Sequence, residues 1–404
     1  MTARPLEGLL VADFCWVAAG PVGTRFLADA GATVIRIESS LRPDGLRMRG
    51  PYKDGVAGPN RSGFYNNFNA GKFSLALNMT TDRGRALARE LVRQADIVTN
   101  NYAPGTMGRW GLDYESVRAM NPTAIYLSMP MMGSSGPRRD FRGLGASIQA
   151  IAGVNWLSGH PQRPPQGPGF NFPDYMNPYF GIFSLLSALH HRTATGEGQE
   201  IELSQYQATV SLTGESLLHA AADGVVAGRA GNTDPAMSPH NIYPCRGDDR
   251  WIAIAVRDED DWAALRQAGG DAAWVNDQRF ATLPGRITHR DDLDALIGMW
   301  TRDQSAPELA ERLQVAGVPA GPVQDGGDVL GDPQMAARRH YVVLDHPETG
   351  PVRHDTQSFR LSAAEVRPTL PAPLLGQHTD WVCEHFLGLS REEIDGLYAE
   401  GVLV

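Results

Sequence analysis

The chain has 404 residues, a formal net charge of −10 and 20% charged side chains, which excludes the basic footprint of a nucleic-acid binder. It is long enough for one large domain plus a smaller one. Cys15, Cys245 and Cys383 lie far apart without CxxC or Cys/His ligand spacing, so neither a disulfide framework nor a metal site is expected.

Residues 8–39 read as a βαβ unit. LLVADFC is a buried strand, WVAAGP a turn, VGTRFLADAG a helix ending at Gly31, and ATVIRIES the next strand. The N–H groups that open the helix can receive an anion, and Glu38 stands where a Rossmann unit holds a ribose. The turn AAGPVG has only two of the GxGxxG glycines and contains a proline, so alone it does not identify a nucleotide site. Alternation continues with an amphipathic helix over 82–95, with Asp82 as its cap. The strand DIVTNNY, a short helix in PGTMGRWG, the helix DYESVRAMNP and the strand AIYLSMP follow. Strands alternating with helices predict a parallel sheet of α/β class.

Residues 161–178 are dense in Pro and Gly, and PYFGIFSLLSALHHR then reads as a helix buried on nearly every side. Pro178 is expected at its first position, with Asn177 as cap. A turn and strand in TATGEGQEIELS lead to a helix over 205–222, and 227–250 reads as a long polar loop. WIAIAV opens a second α/β region, with helices near 259–268, 290–302 and 306–316. VPAGPVQD lies between elements, and short strands are expected in 342–361. Two helices close the chain, the last capped by Ser390. The expected organisation is a Rossmann-like large domain over 1–224, completed by 331–404, and a small α/β domain over 225–330. MTARPLEGLL lacks the apolar core of a signal peptide, and no apolar run nears ~18 residues. A cytoplasmic protein without membrane association is therefore expected.

One acid stands out. In GFNFPDYMNPYFG (169–181), Asp174 sits among aromatics and prolines just before the long apolar run. As a turn acid it stabilises a helix start; as a reacting group it is a carboxylate nucleophile. Spacing alone leaves both readings open.

Several stretches in order resemble the class III CoA-transferases, the family of formyl-CoA transferase, carnitine CoA-transferase and the bile-acid-inducible CoA-transferases. The strongest are Asn101-Tyr102-Ala103-Pro104-Gly105, Arg192-Thr193-Ala194-Thr195-Gly196-Glu197-Gly198-Gln199 and Pro373-Leu374-Leu375-Gly376. The resemblance implies that Asp174 is the catalytic residue, moving CoA from an acyl-CoA to a carboxylic acid through a covalent aspartyl anhydride and thioester. It implies CoA contacts at Val17, Ala18, Lys72, Asn101, Arg109 and Arg142, with coenzyme A as a substrate moiety, no prosthetic group, and an interlocked homodimer. The segment Gly159–Pro168 resembles members handling larger acyl groups, whose pocket would take in His160, Tyr175 and His240.

The chain departs from formyl-CoA transferase in the first turn, where Ala18 replaces a Gln, and after Glu38, where Ser39 replaces an Arg. Formyl and oxalyl groups are therefore not the expected substrates. An α-methylacyl-CoA racemase of the same fold needs a His in a GHD-type segment, and this chain has Gly143, Leu144 and Gly145 there. An NAD-dependent dehydrogenase is disfavoured by the defective glycine pattern, and a non-catalytic CoA-binding partner subunit by the presence of Asp174.

Overall fold

A computed structural model of the protein describes residues 4–404. It contains two compact units. The first takes in the residues up to Asn155, then Gly167–Val226 and Ala336–Val404; the second takes in Trp156–Gln166 and Ala227–Met335.

The first unit is built on a six-stranded parallel sheet of order β3-β2-β1-β4-β5-β6. The strands are β1 (Leu10–Asp13), β2 (Thr33–Glu38), β3 (Phe73–Ala76), β4 (Ile97–Asn100), β5 (Ile125–Ser128) and β6 (Glu200–Glu202). Val11 lies opposite Val34 on one side and Ile97 on the other, so the order reverses at β1. β1 is buried on both faces, as a parallel sheet covered by helices requires. Leu10, Ala12 and Phe14 join one core cluster and Val11 another.

The helices, in chain order, are α1 (Ala19–Asp29), α2 (Gly63–Phe68), α3 (Asp82–Gln94), α4 (Tyr114–Met120), α5 (Gly145–Ile151), α6 (Val154–Leu157), α7 (Phe172–Thr195), α8 (Gln205–Ser211) and α9 (Gly214–Ala222). The cap of α3 is Thr81, whose Oγ1 accepts from Gly84 N–H at 3.0 Å, and Asp82 is the first helical residue. Threonine fits because its hydroxyl reaches the third N–H from an extended backbone.

The start of α7 also differs from expectation. It begins at Phe172, not Pro178, so Asp174 lies in its first turn. Pro178 sits inside the helix, where its missing N–H leaves the Asp174 carbonyl without the usual helical donor. Asn177 does not cap; its amide donates to the Gln205 carbonyl (3.0 Å) and Thr209 Oγ1 (3.2 Å). Nor is α7 buried all round. Ile182, Leu185 and Ala188 face the core, whereas Phe183 is 72% exposed. The predicted 205–222 helix is two helices, α8 and α9, interrupted at 212–213.

The second unit carries an antiparallel sheet of β7 (His240–Pro244), β8 (Trp251–Ala255) and β9 (Ala320–Pro322). β7 falls in the stretch read as loop, and β9 in VPAGPVQD. Both strands contain proline and lie at the sheet edges, where a missing ladder donor is tolerated. α10 (Glu259–Gly269), α11 (Leu283–Thr288), α12 (Arg290–Thr301), α13 (Ala306–Val315), α14 (Gly326–Gly331) and α15 (Pro333–Ala337) follow. The chain closes with the hairpin β10 (Tyr341–His346) and β11 (Gly350–Asp355), then α16 (Thr379–His385) and α17 (Arg391–Ala399). Ser390 caps α17 in a reciprocal box with Glu393. Among the described residues no helix is long and apolar enough to cross a membrane.

Candidate active site

A cavity of about 1140 Å³ opens in the first unit. Its walls are the segments that leave the C-terminal ends of five strands: 14–19 after β1, 37–42 after β2, 77–80 after β3, 101–110 after β4, and 131–148 after β5. Ligands in open α/β sheets bind at this end, where strand order reverses. Residues 169–175, at the start of α7, close one side.

Asp174 lines this cavity yet is only 9% exposed. Burial pushes its carboxyl up to about 6, and a hydrogen bond with Asn171 draws it partway back. No cation counters that desolvation, so the ionised carboxylate is weakly solvated and unpaired by charge. Its neighbours are aromatic. Phe64, Phe68, Tyr175 and Phe170 form a continuous chain of rings with centroid spacings of 6.1, 5.8 and 6.0 Å, the first pair tilted and the other two edge-to-face, and all four line the cavity. Tyr175 thus stands in the wall beside the acid, and its phenol is shifted up by burial and then by Asp174.

Val17 and Ala18 line the cavity in the turn before α1, and Asn101 lines it from the β4 loop. Asn101 spends its amide on that turn: Oδ1 accepts from Trp16 N–H and Nδ2 donates to the Trp16 carbonyl, each at 2.8 Å. It therefore shapes the turn that faces the cavity. Arg109 lines the cavity and donates to Thr106 Oγ1 at 3.2 Å. Arg142 also lines it, as do Arg42 and Arg49, which sequence reasoning did not assign. Arg42 lies over the Trp16 ring at 5.6 Å. Among the described residues no carboxylate pairs with Arg42, Arg49 or Arg142, which leaves three cations for an anionic ligand.

Three expected site residues lie elsewhere. Lys72 is 1% exposed and does not line the cavity. Its ammonium donates to Thr24 Oγ1 (2.7 Å), Asn69 Oδ1 (2.9 Å), the Pro21 carbonyl (3.1 Å) and Asp13 Oδ2 (3.3 Å). An amine so occupied holds the βαβ unit together. His160 and His240 belong to the second unit and are not among the cavity walls. His160 packs against Gly231, and His240 Nδ1 lies 2.7 Å from the Asn232 carbonyl. Sequence reasoning also passed over α2, whose Phe64 and Phe68 build the aromatic wall. Nothing in GFYNNF marks it as other than core.

Comparison with known proteins matches this geometry to a family. The sequence model of CoA-transferase family III matches residues 6–379. The succinyl-CoA–D-citramalate CoA-transferase of Chloroflexus aurantiacus is 32% identical over 99% of this chain and 98% of its own. The succinate–glutarate CoA-transferase of Agrobacterium fabrum is 31% identical over 93% and 94%. The crystal structure of a CAIB/BAIF family protein from Brucella suis superposes with a TM-score of 0.86 at 31% identity, covering 96% of this chain and 100% of that one. The chain belongs to CoA-transferase family III and is an enzyme of that class.

Proposed function

We propose that this member of CoA-transferase family III moves CoA between two carboxylic acids with Asp174 as the covalent carrier. The observation that carries the reading is a buried, charge-unpaired carboxylate in the wall of a cavity that also holds unpaired arginines. Exchange of one thioester for another needs little net free energy. The obstacle is a carboxylate displacing a thiolate, and a side-chain carboxylate divides that step.

Asp174 attacks the acyl-CoA carbonyl, forming an acyl–aspartyl anhydride and expelling CoA thiolate. The thiolate attacks the aspartyl carbonyl, breaking the anhydride C–O bond, freeing the donor acid and leaving aspartyl-CoA. The acceptor carboxylate attacks that thioester and expels the thiolate again. The thiolate then takes the acceptor acyl group from the second anhydride and restores the Asp174 carboxylate. Each step exchanges one nucleophile for one leaving group, and no proton is consumed.

The site suits these steps. Desolvation raises the nucleophilicity of the carboxylate while leaving it mostly ionised near neutral pH. The aromatic wall keeps water from the anhydride. Arg109 and Arg142, with Arg42 and Arg49, are the side chains available to the phosphates of CoA, and Val17, Ala18 and Asn101 would flank its thioester arm. An acyl group larger than formyl fits the chain of rings beside Asp174. The relatives named above act on dicarboxylic acids, so succinyl-CoA is the first donor to try.

The reading includes an interlocked homodimer acting in the cytoplasm. Its support is the apolar surface left open in the first unit, where Phe183 on α7 is 72% exposed, Leu218 on α9 70% and Val226 74%. A surface of this kind is what a partner chain covers. Sedimentation that gives a dimer stable to dilution supports it, and a clean monomer refutes it. The function itself is tested by a screen of free acids against one labelled acyl-CoA, read by mass spectrometry. New labelled thioesters are expected with the wild type and not with Asp174→Asn; activity with formate or oxalate alone would refute the size argument.

A further inference from the structure

The turn between β1 and α1 is held from below by the buried side chains of Asp13, Arg36 and Asp44 and by the half-buried Asn101. Asp13 Oδ1 accepts from Cys15 N–H at 2.9 Å, and Arg36 Nη1 donates to the Cys15 carbonyl at 2.8 Å. Asn101 takes both backbone groups of Trp16. Asp44 accepts from Val17 N–H at 3.0 and 3.2 Å and from Leu46 N–H at 2.8 Å. Arg36 Nη2 also donates to Asp44 Oδ2, and both side chains are fully buried.

Val17 itself is in the left-handed region, with φ of 63°. For a β-branched residue this is an outlier that persists only when its surroundings enforce it, and such outliers cluster at functional sites. Of the four non-glycine residues with positive φ among the described residues, Val17 is the β-branched one, and it lines the cavity. The bend redirects the chain into α1, whose cap residue Ala18 supplies no side-chain hydrogen bond. Ala18 and Ala19 thereby face the same cavity as Asp174. Val17 and Ala18 pack in one apolar cluster with Phe68 and Tyr175, the residue next to Asp174.

We propose that Asp44, itself held by Arg36, is a positioning residue for CoA transfer: its carboxylate fixes Val17 in the left-handed conformation and so sets the cavity-facing start of α1 against Asp174. The proposal rests on the transferase reading above. Neither Asp44 nor Arg36 touches the reacting atoms; they act through the Val17 backbone. Lysine or asparagine could not stand in for Asp44. The group must accept from two backbone N–H groups and a guanidinium at once, and an amide presents a donor to one of them.

The test is a double-mutant cycle between Asp44→Asn and Val17→Gly, because glycine adopts a φ near 63° without steric cost. In the Val17 chain, Asp44→Asn should lower kcat at least tenfold while the KM for the free acid moves less than threefold. Measured within the Val17→Gly background, whatever that change costs by itself, the same substitution should lower kcat less than threefold. Amide hydrogen exchange of the peptide containing Val17 gives a readout independent of turnover, and Asp44→Asn should speed it at least tenfold. A variant soluble only in the Val17→Gly background also supports the proposal. An equal effect in both backgrounds, unchanged exchange, or insolubility in both overturns it and assigns Asp44 to the buried ion cluster alone. If the wild type transfers CoA to no acid, the transferase reading fails, while the exchange result still reports on the Asp44–Val17 hold.

Discussion

A Cβ on Gly145 would stand 2.8 Å from Cγ, Oδ1 and Oδ2 of Asp174 alike. The carboxylate therefore lies flat against the backbone that opens α5, in space a methyl group would take. Gly145 has no positive φ to protect, so alanine is compatible with the helix backbone and the carboxylate must move. Gly145→Ala should leave the melting temperature within a few degrees and cut CoA transfer by about 10²-fold, the scale of a misplaced reacting group. Paired thermal melts and steady-state rates check this.

The pH dependence follows from the burial of Asp174. Its carboxyl is raised from 3.8 to about 6, and the nucleophile is the ionised form. The kcat/KM for acyl-CoA should therefore fall as pH drops through about 6. Stability runs the opposite way. Below about pH 4 both folded and unfolded chains hold the proton. As pH rises from there to about 6 the unfolded chain releases it first, so the fold weakens, by on the order of 3 kcal/mol in all. Asp174→Asn lacks that penalty. It should be more stable than the wild type at pH 8, with the gap narrowing by pH 5, as urea titrations at the two pH values would show.

Lys72 makes a contrasting case. The family resemblance implied a CoA contact there, but its ammonium is buried against Asp13. Lys72→Met should leave the buried Asp13 without its ion-pair partner and cost about 3–5 kcal/mol. The KM for acyl-CoA of whatever protein remains folded should be near that of the wild type. A normal melt with a raised KM would restore Lys72 to the CoA site.

The cavity arginines should behave in the opposite manner. Arg142→Ala and Arg109→Ala remove exposed cations that hold no structural ion pair among the described residues. Each should raise the KM for acyl-CoA about tenfold, with kcat and melting temperature little changed. Added salt should raise the wild-type KM in the same direction.

How far the sequence was legible depended on the reach of the interactions involved. β1 and β2 were readable because their apolar runs carry their own signal, and Ser390 was readable because a cap reports on N–H groups within three residues. The start of α7 was misplaced because Pro178 and Asn177 imitate a helix start locally. What extends the helix back to Phe172 is packing, with Asn177 bonded to α8 more than twenty residues away. Asp174 stood out as an isolated acid, and a family resemblance, not spacing, gave it a role. The roles of Gly145, Phe68 and Asp44 depend on which segments the sheet brings together. GLGASIQ, GFYNNF and RPDGLR carry no local mark of those contacts.

The central claim is that Asp174 becomes covalently acylated, and trapping tests it most directly. The wild type is incubated with succinyl-CoA and no acceptor acid, quenched with hydroxylamine, digested and read by peptide mass spectrometry. The account predicts a hydroxamate on Asp174, in the peptide spanning α7, and none in Asp174→Asn treated alike. A hydroxamate on another residue, or CoA transfer by Asp174→Asn at a near wild-type rate, would contradict it.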